Sequence, residues 1–311
     1  MIKDRGRKIV NSNYRAGFVA LLGEPNAGKS TLMNAILGEK ISIVSEKPQT
    51  TRGRIHGLFS NDEVQIVFVD APGTIESTSG INSFLKDEVG DVIVRADVVL
   101  VVLGADTTDT TAARLIQMAT ESGKPFTVVV TKADLITGER APKCLPVLVA
   151  TKAPFITISA LKREEEARDE VVSRLIPLLP KAEAPLYDEE LLTTETIRKL
   201  SAEFIREACF QHTRQEVPYG LAIRIVKFQE PEAEGDVTKI YAEIVVERTA
   251  HKAIVIGAKA SNIKKIGTDA RKAIEKLIGS KIYLDLHVDV REGWTKNKRM
   301  LKELGYVVVK E

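Results

Sequence analysis

Residues 17–31 read GFVALLGEPNAGKST, and this run restricts the fold more than any other part of the chain. Six mostly apolar residues lead into Gly-x4-Gly-Lys-Ser, carried by Gly23, Gly28, Lys29 and Ser30, and a helix-compatible stretch follows. A strand that passes through a glycine loop directly into a helix is the opening of a βα unit, the setting in which such a loop cradles phosphates. The glycines let backbone N–H groups wrap an anion, and the helix N-terminus adds positive potential. Lys29 is placed to reach β- and γ-phosphates, and the Ser30 hydroxyl to bind Mg2+. Pro25, Asn26, Ala27 and Thr31 complete the candidate phosphate site.

Four more apolar runs follow: VQIVFVD (64–70), DVVLVVLG (97–104), PFTVVV (125–130) and PFITIS (154–159). They are short, rich in Val and Ile, and almost continuously hydrophobic. That pattern suits buried parallel strands with helices on both faces. It predicts a doubly wound, mostly parallel α/β domain over residues 16–180, behind a basic N-terminal tail at 1–15. A helix through EEEARDEVVSRLIPLLP stops at Pro180, and PKAEAPLYDEE (180–190) reads as a linker. Residues 181–218 hold that linker and a connecting helix, TTETIRKLSAEFIREACFQH, with a capping-type start. From 219 to 311 the alternating segments YGLAIRIVKF and KIYAEIVVERT, a helix at DARKAIEKLIG and a strand at KIYLDLHVDV predict an α+β domain.

Charge separates the two parts. The whole chain of 311 residues carries only +2, but residues 237–305 hold 15 Lys/Arg against 8 Asp/Glu. Nothing in the net charge points to nucleic acid, but the asymmetry points to a basic C-terminal module. Cys144 and Cys209 lack metal-ligand spacing and suggest a reducing cytoplasm. The basic N-terminus has no apolar run of a secretory signal, and no segment has 18 consecutive apolar residues.

Three further motifs stand at predicted strand ends. In VQIVFVDAPG, Asp70 closes an apolar strand, where a carboxylate can hold Mg2+ through water, and Gly73 offers an N–H to a γ-phosphate. In TKAD, the carboxylate of Asp134 can pair with the N1–H and N2–H of guanine, a donor pair adenine lacks. Thr131 and Lys132 precede it. Ser159 and Ala160, in SAL, can offer backbone N–H groups to guanine O6. Ligands bind at the C-terminal strand edge of open α/β sheets, so these positions share one edge.

With the phosphate loop, Asp-x-Pro-Gly, TKAD and SAL in this order, the chain resembles the translation-factor-class GTPases. SEKPQTTRGRI (45–55) narrows the resemblance to the Era GTPases. The resemblance implies GTP/GDP and Mg2+ as ligands, with Thr51 as the switch threonine that binds the metal and Thr50 as its alternative. Lys29, Asn26, Thr51 and Gly73 are then the catalytic candidates. Thr74 stands where Ras-type enzymes carry a water-positioning glutamine. The resemblance instead implies slow hydrolysis stimulated by K+, held beside the phosphates by Asn26. Two positions depart from the family pattern: Thr131 replaces Asn, and Ala71 replaces Thr.

The C-terminal half resembles a type II KH domain, in which a Gly-x-x-Gly loop clamps about four nucleotides of RNA. The loop aligns as Gly257-Ala258-Lys259-Ala260, so Ala260 stands in place of the second glycine. Gly257, Lys259, Lys264, Lys265 and Arg271 are the implied RNA contacts, while Trp294 reads as a core residue rather than a stacking platform. The resemblance implies binding to the 3′ end of 16S ribosomal RNA and a role in assembly of the small (30S) subunit. It also implies a cytoplasmic protein that associates peripherally with the inner membrane surface, which the basic tail permits, and a monomer is expected. The alternatives are a related GTPase acting in tRNA modification or large-subunit assembly, an ATP-dependent phosphotransferase and a pure RNA-binding module.

Overall fold

The computed structural model describes residues 13–45, 47, 52–73, 81–136, 141–233 and 235–306. The expectations at Thr50, Thr51 and Thr74 lie outside the described residues, as does most of the basic tail. The chain divides into two compact units.

In the first, β1 (Arg15–Leu22), α1 (Lys29–Leu37), β2 (Ile55–Ser60), β3 (Val64–Asp70), α2 (Ile81–Arg95, which belongs here from Glu88 onward), β4 (Val98–Gly104), α3 (Asp109–Glu121), β5 (Phe126–Thr131), α4 (Leu145–Thr151), β6 (Phe155–Thr157) and α5 (Glu164–Leu175) follow in order. The strands form one sheet, β2-β3-β1-β4-β5-β6. All pairs are parallel except β2 on β3. Every residue of β3 and β4 is buried, which explains their unbroken apolar runs. Strand order reverses beside β1, so the glycine loop after β1 sits at the switch point of a doubly wound sheet.

The antiparallel strand β2 was not anticipated. Gly57 lies in its middle because α1 crosses there: a Cβ would stand 2.6 Å from Leu37 Cδ1 and 2.9 Å from Met33 Sδ. The unit also begins earlier than expected. Tyr14 is fully buried and β1 starts at Arg15, so residues 14 and 15 are not tail. The stretch read as a linker is docked. Ala182 N–H donates to Tyr14 O (3.0 Å), Leu58 N–H to Leu192 O (2.9 Å) and the Thr193 hydroxyl to His56 O (2.5 Å). The buried Gln65 amide exchanges two bonds with the Tyr187 backbone. Residues 187–193 thereby cover the outer side of β2, an edge otherwise open to pairing with another strand.

The second unit contains α6 (Ile197–His212), β7 (Leu221–Gln229), β8 (Thr238–Val246), α7 (Thr249–Ile256), α8 (Ser261–Ile278), β9 (Ile282–Val290) and α9 (Lys298–Glu303). The Thr196 side chain caps α6 by accepting from Lys199 N–H (3.2 Å). Its sheet is β7-β8-β9, with β7 antiparallel and β9 parallel to β8. Residues of α6, α7 and α8 such as Phe204, Val255, Ile266 and Ile274 pack with Ile225, Ile240 and Ile244 in one core. The apolar run AIVI belongs to α7, and α8 begins at Ser261, eight residues before the expected helix.

Two segments remote in sequence complete this unit. Ile43 enters its core. The buried Arg52 guanidinium donates to the carbonyls of Leu221 (2.5 Å), Tyr219 (2.8 Å) and Pro218 (3.1 Å). Ile81 packs with Ala222, Val245, Trp294 and Leu301. Trp294 is a core residue: it is fully buried, donates from Nε1 to Gly220 O (3.0 Å) and stacks on Tyr306. Cys144 and Cys209 are free and buried, and burial pushes the Cys209 thiol up to about 12, which shuts off thiolate chemistry there. Among the described residues no helix is long and apolar enough to cross a membrane.

Candidate functional site

The phosphate loop owes its shape to positive φ at Asn26 (66°) and Gly28 (93°). A Cβ on Gly28 would press on Thr131, 3.1 Å from its Oγ1, and an L side chain would be strained at this φ. Gly73 is more tightly constrained. A Cβ there would stand 2.4 Å from Pro25 N, so the Asp-Ala-Pro-Gly turn lies directly against the loop. Ala71 is buried in the apolar cluster with Leu22, Val89 and Val101, which accounts for a residue with no hydroxyl to satisfy.

Lys29 is 6% exposed and its Nζ donates to Gly23 O (3.1 Å) and Glu24 O (3.0 Å). Burial lowers its pKa, against the opposing pull of Asp70 and Glu24. An ammonium held on carbonyls at the mouth of a helix is stored charge for an anion. Beside it, the Ser30 hydroxyl donates to Asp70 Oδ2 at 2.6 Å, and Asp70 is fully buried. Two hard oxygen donors meeting at the end of β3 match the preference of Mg2+ for oxygen ligands.

The base-reading residues converge from β5 and β6. Ala133 N–H donates to Ile158 O (3.1 Å), tying the two loops together. The Ser159 hydroxyl donates to Asp134 Oδ1 (2.5 Å), and Asp134 itself is exposed at the surface. This hydroxyl holds one carboxylate oxygen and so sets the plane the carboxylate presents. Lys132 takes a left-handed conformation (φ 60°), while Ala160 is buried behind the loop and Thr31 half-buried in α1. Thr131 explains its own departure from Asn. Its buried hydroxyl lies 2.6 Å from Ala27 O and 3.1 Å from Leu103 O, so its one proton straps the base-reading strand to the phosphate loop.

Sequence reasoning missed one support of this site. Glu24, inside the loop, accepts from the Thr111 hydroxyl (3.1 Å) and faces Arg114 (3.7 Å), which braces the loop on α3. Nothing in GEPNAGKS marks Glu24 as a tether, because its partners lie 87 residues away or more.

In the second unit, the turn between α7 and α8 has positive φ at Gly257 (72°), Lys259 (49°) and Ala260 (59°). A Cβ on Gly257 would stand 2.7 Å from Asn262 Cβ. Ala260, by contrast, is an L residue held in the left-handed region. Asn262, also missed from sequence, braces the turn by donating to Ile254 O (3.1 Å) and His212 O (3.2 Å). Lys264, Gly267, Thr268 and Arg271 on α8 and Leu284 and Leu286 on β9 line a groove of about 420 Å³. Lys259 stands exposed on the turn. Lys265 is exposed as well but is not among the residues that line the groove.

Two family models match the chain: one described as a 50S ribosome-binding GTPase over residues 18–132, and a KH domain over residues 216–295. GTPase Era of Desulfovibrio desulfuricans is 40% identical over 309 residues, covering 96% of this chain and 99% of its own. GTPase Era of Trichlorobacter lovleyi is 40% identical over 300 residues, covering 95% and 99%. Among solved structures, Era in complex with MgGDPNP and nucleotides 1506–1542 of 16S ribosomal RNA matches with a TM-score of 0.87 at 33% identity, covering 95% of this chain and 100% of that one. An Aquifex aeolicus Era variant bound to GDP and AlF4− matches with a TM-score of 0.86 at 33% identity, covering 94% and 100%.

Proposed function

The chain belongs to the Era family of GTPases, and from that premise we propose that it hydrolyses GTP and binds the 3′ end of 16S ribosomal RNA during assembly of the small ribosomal subunit. The observation that carries the nucleotide half is the shared edge: Lys29, Ser30, Asp70, Thr131 and Asp134 follow or end β1, β3 and β5 of one parallel sheet. Lys29 holds β- and γ-phosphate oxygens once they displace it from the carbonyls of Gly23 and Glu24. The Gly73 N–H faces the γ-phosphate, and Asp134 selects guanine over adenine. Ser30 and Asp70 would hold Mg2+, which spreads the charge of the transferring phosphoryl group. Thr51 is the further ligand implied by the family, and Asn26 the residue implied to hold K+. Stimulation by K+ over Na+ at equal ionic strength is the outcome that supports Asn26 in that role.

The groove of the second unit supports RNA binding. Its lining combines an apolar wall with Lys264 and Arg271, which suits bases against the wall and phosphates against the cations. The ordering of loops by γ-phosphate is proposed to alter RNA affinity. The description of the N-terminal family model favours a second reading, a large-subunit partner. Crosslinking in extracts with GTP or GDP bound decides between them: 16S RNA recovered in a nucleotide-dependent manner is expected, and large-subunit RNA alone overturns the proposal. Competition by ATP at concentrations similar to GTP overturns the assignment of Asp134.

A further inference from the structure

Helices α6, α7 and α8 cover one face of the second unit's sheet, and the opposite face is divided. At one end Ala222 and Val245 lie under Trp294 and Leu301. In the middle Glu243 is neutralised by Arg224 (2.9 Å) and Arg291 (3.5 Å). The far end carries Tyr241 and Tyr283, diagonal neighbours on β8 and β9, with ring centroids 5.8 Å apart and planes tilted by 56°. Tyr283 is 49% exposed and Val226, on the bulge of β7, is 50% exposed. Strand register puts a lysine directly beside each ring: Lys227 opposite Tyr241 and Lys239 opposite Tyr283. Both lysines are exposed. Asp285 lies opposite Tyr241, and the exposed Glu230, Glu232 and Asp236 of the loop joining β7 to β8 bound the patch beyond Lys239.

Aromatic faces alternating with cations are what a single-stranded nucleic acid needs: bases stack and phosphates are neutralised. The patch is also continuous with the groove. Tyr283 and Leu284 are consecutive on β9, the edge strand, and successive residues of a strand point to opposite faces. Leu284 lines the groove and Tyr283 the outer patch. We propose that an RNA strand leaving the groove turns around the edge at β9 and stacks on Tyr241 and Tyr283, so that the sheet is gripped on both faces. This inference rests on the groove being an RNA site, and it assigns the outer face to the nucleotides that flank the clamped ones.

The test uses the full chain and two fluorescein-labelled RNAs from the 16S 3′ end. One fills the groove with about four nucleotides, and the other is extended by about four at either end. Tyr241→Thr/Tyr283→Thr keeps residues of high strand propensity, and its affinity for the short RNA reports on intact folding. The expected result is unchanged affinity for the short RNA and a loss of about tenfold or more for the long one. Lys227→Gln/Lys239→Gln should lower the slope of log affinity against log salt by about 1.4 for the long RNA only. Equal affinity of wild type and both variants for the long RNA overturns the inference and leaves the patch to a protein partner. Failure of the wild type to bind either RNA overturns the RNA reading of the groove, and this inference with it.

Discussion

The turns at residues 23–30 and 257–260 both bend the chain through left-handed backbone into the start of a helix, yet they handle charge in opposite ways. The first holds a single cation, Lys29, buried and bonded to two carbonyls of its own loop. The second is surrounded by cations that stand in water, Lys259, Lys264, Lys265 and Arg271. A buried charge acts at full strength and from one position only. An exposed set is screened and shares its task. The backbones differ likewise. The first turn places glycine at the position that opens its helix, Gly28 at φ 93°, whereas the second holds Ala260 at the equivalent point, where glycine would be unstrained. Single substitutions should therefore be severe in the first turn and graded in the second.

The largest effect is expected from Lys29→Ala, which should reduce GTP turnover by about 100-fold or more, read as phosphate release at saturating GTP. A loss below about tenfold would place Lys29 on a par with surface cations and end the contrast. Thr131→Val should follow. It removes the strap to Ala27 O and leaves that carbonyl unpaired, weakening GDP binding by about tenfold in calorimetry, while Thr131→Ser stays near wild type. Third, Lys264→Ala should weaken RNA binding several-fold and lower the salt slope by about 0.7, whereas Lys265→Ala, off the groove, should leave both unchanged. Equal losses would mean that the exposed cations act as a diffuse field with no groove selectivity. The smallest effect belongs to Ala260→Gly. Relief of the left-handed strain, partly offset by the entropy of a freer unfolded chain, should raise stability by up to about 1 kcal/mol in denaturant melts, with RNA affinity kept or increased. A clear loss of RNA affinity would show that the turn does not clamp RNA in this way.

What could be read from the sequence was local. Strands β3 and β4 are buried on both faces, so their apolar runs needed no tertiary knowledge. The residues now grouped at the sheet edge were legible because each follows such a strand. β2 escaped because Gly57 interrupts its pattern, and that glycine is explained only by α1 lying across it. The helix α7 escaped because AIVI is short and β-branched, a composition that suits either state. The departure at Thr131 has its reason in the bond to Ala27 O, which spans 104 residues. Glu24 and Asn262 were illegible for the same reason: their roles lie in partners, not in their own neighbourhoods.

The cover over β2 has a consequence in time. The strand is synthesised by residue 60, but the residues that close its outer side, 187–193, leave the ribosome only after more than a hundred further residues have been added. Until then a nascent sheet exposes a row of unpaired backbone groups. The boundary of an independently handled N-terminal fragment accordingly falls after residue 193 and not at Pro180. A chain cut at residue 180 should self-associate through β2, while one cut at residue 194 should remain dispersed.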